Sequence, residues 1–257
     1  MPALFIGHGS PMNTIEKNRW TDGWRTLGES LPTPRALLVV SAHWYIGATA
    51  VTAMPHPRTI HDFRGFPPEL FAFQYHAPGA PDVAREVAEI AKPTPVALDE
   101  TQWGLDHGTW SVLAHLFPNA DVPVVQLSID ATKPLTHHLD LATRLAPLRE
   151  QGVMILGSGN VVHNLRLIDW RAGDTGAGWA DRFDEAVLQQ MQEAPGDILK
   201  LATHPDYAPA VPTPDHFIPL LTAAGLAAGA GVGATSMFEG RTMGSLSMTS
   251  YMIGAGG

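Results

Sequence analysis

Three histidines in this chain stand where an apolar run gives way to small turn residues. His8 follows "ALFIG" (Ala3–Gly7) in "GHGSP", His43 follows "ALLVVSA" (Ala36–Ala42), and His163 lies just beyond "VMILG" (Val153–Gly157) in "GSGNVVHNLR". A fourth, His216, sits in "PTPDHFIPLL". There Pro212 and Pro214 stiffen the approach, Asp215 is placed to cap a following helix, and His216 falls in its first turn. Imidazole both ligates transition metals and moves protons near neutral pH. Four such residues beside Gly, Ser or Pro therefore predict a metal site. With no cysteine in the chain, that site must be built from imidazole and carboxylate. An all-His shell could hold Zn²⁺ tetrahedrally, and three ligands with open positions could hold Fe²⁺ for oxygen chemistry. Spacing leaves both open.

Two further stretches are suited to a pocket. "IHDFRGFPPELF" (60–71) mixes His61, Asp62 and Arg64 with three phenylalanines, and "WGLDHGTW" (103–110) places His107 between two tryptophans. Aromatic walls with a few polar groups suit a small aromatic ligand. His107, flanked by Asp106 and Gly108, is given a polar role, whereas Trp103 and Phe71 are expected to fill the core. Arg64 reads first as a surface arginine and second as a grip on a substrate carboxylate. His56, His76, His115, His137, His138 and His204 read as structural or solvent-exposed. "GSGN" (157–160) lacks the glycine spacing and lysine of a phosphate loop.

The elements that must position these residues alternate along the chain. Ala3–Gly7, Ala36–Ala42, Val122–Ile129 and Val153–Gly157 are continuous apolar runs, which suit strands covered on both faces. The stretches 233–240 and 245–254 alternate more and predict a sheet edge. Helices are expected at 81–92, 109–117, 134–152 and 179–194, from their periodicity and from terminal Pro, Gly, acid and base signals. The small, Gly-rich 223–234 reads as a helix end entering a loop. This pattern predicts an α/β fold, a single three-layer αβα domain over residues 1–257 with a largely parallel or mixed central sheet. Ligands of such sheets bind beyond the carboxyl ends of the strands, where His8, His43 and His163 can converge. The Pro-rich loops 54–68, 76–82 and 203–214 are long enough to be functional or mobile.

Composition narrows the partners. A formal net charge of −9 with no Lys/Arg stripe argues against nucleic acid and anionic membrane surfaces. No segment reaches the roughly 20 apolar residues of a membrane span. "MPALFIGHGSP" has no basic leader, and the lack of cysteine fits a reducing compartment, so the expectation is a soluble cytoplasmic protein. Oligomeric state is left open.

"GHGSP", "SAHW", "HDFRGFP", "LDHGTW", "QLSID", "SGNVVHNLR", "PTPDHFIPLL" and "GSLSM" occur in order from residue 7 to residue 248. In this the chain resembles the DOPA-type extradiol ring-cleavage dioxygenases, within the superfamily of the protocatechuate 4,5-dioxygenase catalytic subunit. The resemblance covers nearly the whole chain. It implies opening of a catechol such as DOPA (3,4-dihydroxyphenylalanine) beside its two hydroxyls by O₂, with non-haem Fe²⁺ as cofactor and Zn²⁺ as a possible occupant of a purified sample. His8 and His43 match metal-binding histidines, and His216 matches the position that completes the shell. In the protocatechuate branch that position is glutamate, so histidine here is a departure. His163 matches the acid/base histidine and is also a candidate fourth ligand; His107 is expected to be a second proton donor. Two rivals share these features: a Memo-like metal-binding interaction protein, and a zinc hydrolase using the histidines to activate water.

Overall fold

The apolar runs become strands because both their faces are covered. In the computed structural model, which describes residues 1–254, the main sheet has eight strands in the order β4-β3-β5-β2-β6-β1-β10-β7. These are β1 (Ala3–Gly7), β2 (Ala36–Ile46), β3 (Ala50–Thr52), β4 (Ala97–Asp99), β5 (Val124–Asp130), β6 (Val153–Gly159), β7 (Thr235–Phe238) and β10 (Ser250–Ile253). A separate small ribbon pairs β8 (Arg241–Thr242) with β9 (Leu246–Ser247). The central β5, β2, β6 and β1 run parallel, while β3 and β10 flank them antiparallel. The sheet is thus mixed around a parallel centre.

Helices lie on both faces, giving the expected three layers. They are α1 (Arg19–Ser30), α2 (Pro68–Ala72), α3 (Pro81–Ile90), α4 (His107–Leu116), α5 (Leu135–Leu145), α6 (Pro147–Glu150), α7 (Gly178–Glu193), α8 (Tyr207–Ala210) and α9 (Ile218–Ala230). Alternate residues of each central strand feed two separate cores. Phe5, Leu38 and Ile155 meet α3, α5, α7 and α9, while Leu4, Ile6, Leu37 and Met154 meet Trp24 of α1 and Trp110 of α4. Period-two side-chain geometry explains why these strands read as unbroken apolar runs. Helix α9 is buried from Ile218 through Ala227 and is apolar all round, because it lies between the sheet and α5. It ends at Gly231, whose φ of 67° permits the left-handed cap.

Five local expectations change. The strand bearing His43 does not stop at Ala42 but continues to Ile46, and its pairing with β5 shifts between Val40 and Tyr45. Val40 pairs Leu127 while Tyr45 pairs Ile129, so extra β2 residues bulge out at His43. The helix expected over 134–152 breaks into α5 and α6, since Pro147 cannot continue the hydrogen-bond ladder. His216 is not in a first helical turn capped by Asp215; α9 begins at Ile218, after a turn closed by Phe217 N–H to Pro214 C=O at 3.0 Å. Phe71 does not fill the core, being 40% exposed, because α2 packs inward through Leu70. Trp103 is half-buried and stacks on Trp44 at 5.6 Å.

Candidate metal centre

The carboxyl ends of β1 and β6, the bulge of β2, the start of α4 and the turn before α9 bring five imidazoles to one place. His8 is held immediately after β1, its N–H donating to Gly159 C=O at 3.0 Å. Gly9 then turns the chain with φ 62°, and a Cβ there would meet the Met248 sulfur at 2.5 Å. His43 rises from the β2 bulge, and its Nε2 lies 3.4 Å from His8 Nε2. His107 opens α4, whose N-terminus is capped by the Asp106 carboxylate accepting from Thr109 N–H at 3.1 Å. Gly108 is required by this packing: a Cβ would stand 2.5 Å from Ser41 Oγ and 2.7 Å from His43 Cδ2. His8, His43 and His107 each offer a ring nitrogen within 4.8 Å of the others. This is a donor set that could hold a metal ion.

His163 and His216 form the opposite wall. Their rings stack at 3.5 Å and 2° between planes, and His216 stands 5.4 Å from His8 and 5.0 Å from His43 between ring centroids. His163 is located by a bridge to Leu246, and His216 by its carbonyl accepting from Asn160 N–H at 2.9 Å. All five sequence candidates therefore share one site.

Oriented Nδ1 atoms distinguish four of the five. His8 Nδ1 bonds Ser158 Oγ at 2.9 Å, and that hydroxyl donates to Gly108 C=O at 2.5 Å. Asp62 stands between two rings: one oxygen is 2.9 Å from His107 Nδ1 and accepts the His107 backbone N–H at 2.9 Å, and the other is 3.3 Å from His43 Nδ1. His216 Nδ1 bonds the neighbouring Asp215 carboxylate. A partner on Nδ1 fixes the tautomer and leaves Nε2 free, as second-shell groups do around ligating histidines. The His163 ring bonds no other side chain among the described residues.

Burial keeps His8, His43 and His163 neutral. Desolvation, reinforced by the neighbouring imidazoles, drives His8 and His43 far below the ordinary imidazole range and takes His163 down to about 2. Neutral imidazole is the ligating form. Burial opposes ionisation of Asp62 and Asp215, yet hydrogen bonds from His107 and His216 hold both carboxyls below their usual range. Behind them burial, then the Asp62 charge, raises Asp106 to about 6, while Ser41 Oγ donates to it at 2.7 Å and Gln126 also bonds it.

Above the imidazoles opens a cleft of about 550 Å³, walled by Phe63, Phe66, Leu165, Ile168, Trp170 and Leu246. Phe63 packs on His107 at 5.4 Å, so the expected aromatic wall does border the site. His61 turns away and bonds Phe73 C=O at 2.9 Å. Sequence reasoning missed Ser158, the orienting role of Asp62, and Trp170. "GSGN" is small for a packing reason: Cβ atoms at Gly157 and Gly159 would strike the carbonyls of Pro219 and His216 at 2.3 Å.

The family model for the catalytic LigB subunit of aromatic ring-opening dioxygenase matches residues 2–252. The chain belongs to this family. It is 47% identical over 99% of its length to the 4,5-DOPA dioxygenase extradiol of Escherichia coli K12, covering 95% of that protein. It is also 37% identical over 87% of its length to the protein of that name from Beta vulgaris, covering 86% of it. A crystal structure of an uncharacterized Escherichia coli K12 protein superposes with a TM-score of 0.85 at 43% identity, over 99% of this chain and 100% of that one. The LigB-family chain is thus an extradiol, ring-opening dioxygenase, and neither the interaction-protein nor the hydrolase reading is favoured. Among the described residues no helix is long and apolar enough to cross a membrane.

Proposed function

We propose that residues 1–257 form a single catalytic domain that opens the ring of a catechol such as DOPA with O₂, using Fe²⁺ held by His8, His43 and His216. The observation that carries this reading is the convergence of imidazoles, each with a hydroxyl or carboxylate beside Nδ1, beneath an aromatic-walled cleft. His216 is taken as third ligand from the family resemblance, its ring standing 5.4 and 5.0 Å from those of His8 and His43; His107, whose ring nitrogen lies within 4.8 Å of theirs, is the competing third ligand. Ferrous iron at this position would supply chelation of both catechol oxygens and electron density for O₂.

The protein residues then have separable tasks. The aromatic wall sandwiches the ring and excludes water. The His163 imidazole, whose low proton affinity calls for a hydroxyl acidified by the metal that would bind it, accepts a catechol hydroxyl proton and returns one as the ring opens; stacking on His216 keeps it beside the ligand set. It is also close enough to that set to be a fourth ligand. His107, with Asp62 at its Nδ1, is a second proton donor on the opposite side. A small catechol and O₂ are the partners, and the reaction needs neither nucleic acid nor membrane. We assign the enzyme to the cytoplasm.

The test is anaerobic loading with Fe²⁺ followed by oxygen uptake on adding DOPA, beside a Zn²⁺-loaded sample. Iron-dependent uptake with a yellow ring-opened product is expected. No uptake with DOPA or simple catechols, despite bound iron, would sink the reading.

A further inference from the structure

Above the imidazoles the cleft wall is mostly apolar. Arg64 lines the same cavity as the imidazole cluster and is its one Lys or Arg side chain. The other charged lining group, Asp62, has its carboxylate engaged by His107 and His43. Arg64 is exposed and, like Arg58, Arg85, Arg144, Arg149 and Arg166, has no ion-pair partner among the described residues; of these only Arg64 lines the cleft.

Its backbone is nevertheless anchored on both sides. Phe63 packs on His107 and on Trp110 at 6.0 Å, and Phe66 packs on Phe63 at 5.3 Å. Asp62, two residues before Arg64, is tied to the His107 N–H. The guanidinium is thus a free cation on a fixed base, at the mouth of a cleft whose floor would take the catechol hydroxyls.

We propose that Arg64 is a specificity-determining residue that receives an anionic ring substituent, so that the enzyme prefers catechols carrying a side-chain carboxylate over neutral or cationic ones. This rests on the catechol reading of the same cleft. A guanidinium offers a carboxylate two parallel N–H donors, and the apolar walls strengthen that pair relative to open solvent. A cationic side chain would instead meet repulsion, which makes discrimination sharper than attraction alone.

The test uses matched ligands of one ring: 3,4-dihydroxyphenylpropionate, 4-ethylcatechol and dopamine. Binding of each to the full-length, Fe²⁺-loaded protein is measured anaerobically by calorimetry, and KM and kcat are then measured in air. The wild type is expected to bind the carboxylate about tenfold more tightly than 4-ethylcatechol, and dopamine least well. Arg64→Gln should remove that preference through KM, leaving kcat and all values for 4-ethylcatechol unchanged. Arg64→Lys should restore part of it, and added salt should narrow it. Equal binding of the three, absence of binding by all of them, or a preference that survives in Arg64→Gln overturns the proposal. Because binding is read without turnover, loss of the dioxygenase reading would show as tight, selective binding with no oxygen uptake, a different result from loss of the Arg64 role.

Discussion

Two sets of histidines lie wholly or partly buried in this molecule, and only one is built to act. His8, His43, His107, His163 and His216 crowd the carboxyl edge of the sheet, while His115 and His138 lie in α4 and α5. Desolvation lowers His138 to about 4, and it also lowers His115, just as it lowers His8 and His43. Burial and a depressed pKa therefore do not separate the sets. Partners do. His8 and His216 hydrogen-bond a hydroxyl or carboxylate through Nδ1, His43 and His107 have Asp62 oxygens 3.3 and 2.9 Å from Nδ1 without a formal hydrogen bond, and all four share one cleft. His138 Nε2 meets no partner, and His115 bonds only the Asn13 carbonyl, at 2.7 Å, through Nε2. The lesson is that a site is recognised by what orients its ligands.

The sharpest way to break this contrast is to delete a floor histidine. His8→Ala should weaken metal binding more than about a hundredfold, beyond the usual effect of removing an outer partner, with activity lost in parallel. Metal analysis after dialysis checks it, and full metal content in the variant would refute the shared-floor assignment. His163→Gln comes next: retained metal with kcat lowered about 10²- to 10⁴-fold is expected for an acid/base group. Loss of metal there would instead place His163 among the ligands. Asp62→Asn should cost roughly 10- to 100-fold in metal affinity, because it loosens two rings at once. An unchanged affinity would show that orientation is carried elsewhere.

The smallest effect belongs to the second set and appears only on acidification. His138 has an ordinary pKa near 6.5 when unfolded and about 4 when folded. Between those values the unfolded chain binds more protons, so stability falls as pH drops from about 6.5 towards 4, by up to about 3 kcal/mol. His138→Leu should match wild type in urea melts near pH 7.5 and exceed it near pH 4.5, with metal content unchanged. Equal pH slopes for the two proteins would contradict that account.

Much of the molecule was legible from local signals. The central strands, their largely parallel direction and the meeting of His8, His43 and His163 follow from apolar runs ending in turn residues. The β2 bulge was not legible, since a register shift depends on what the neighbouring strand does. Ser158 and Asp62 were also missed in their orienting roles: each is polar beside a turn, and its meaning lies in a ring brought to it from a distant segment. The break at Pro147 was legible, and the helical periodicity running through it masked the signal. Asp215 resembled a helix cap because an acid before an apolar run usually is one; here its own neighbour, His216, takes its carboxylate.

The first strand sits between β6 and β10. During synthesis, His8 leaves the ribosome on a strand whose neighbours are still unmade, and Ile155, the partner of Ala3, follows about 150 residues later. At roughly 5–20 residues per second this is a wait on the order of ten seconds. The last strand arrives later still, carrying the Met248 segment that closes against Gly7 and Gly9. The nascent chain therefore carries His8 for most of this wait with its surroundings open, and they close only once the Met248 segment has been made.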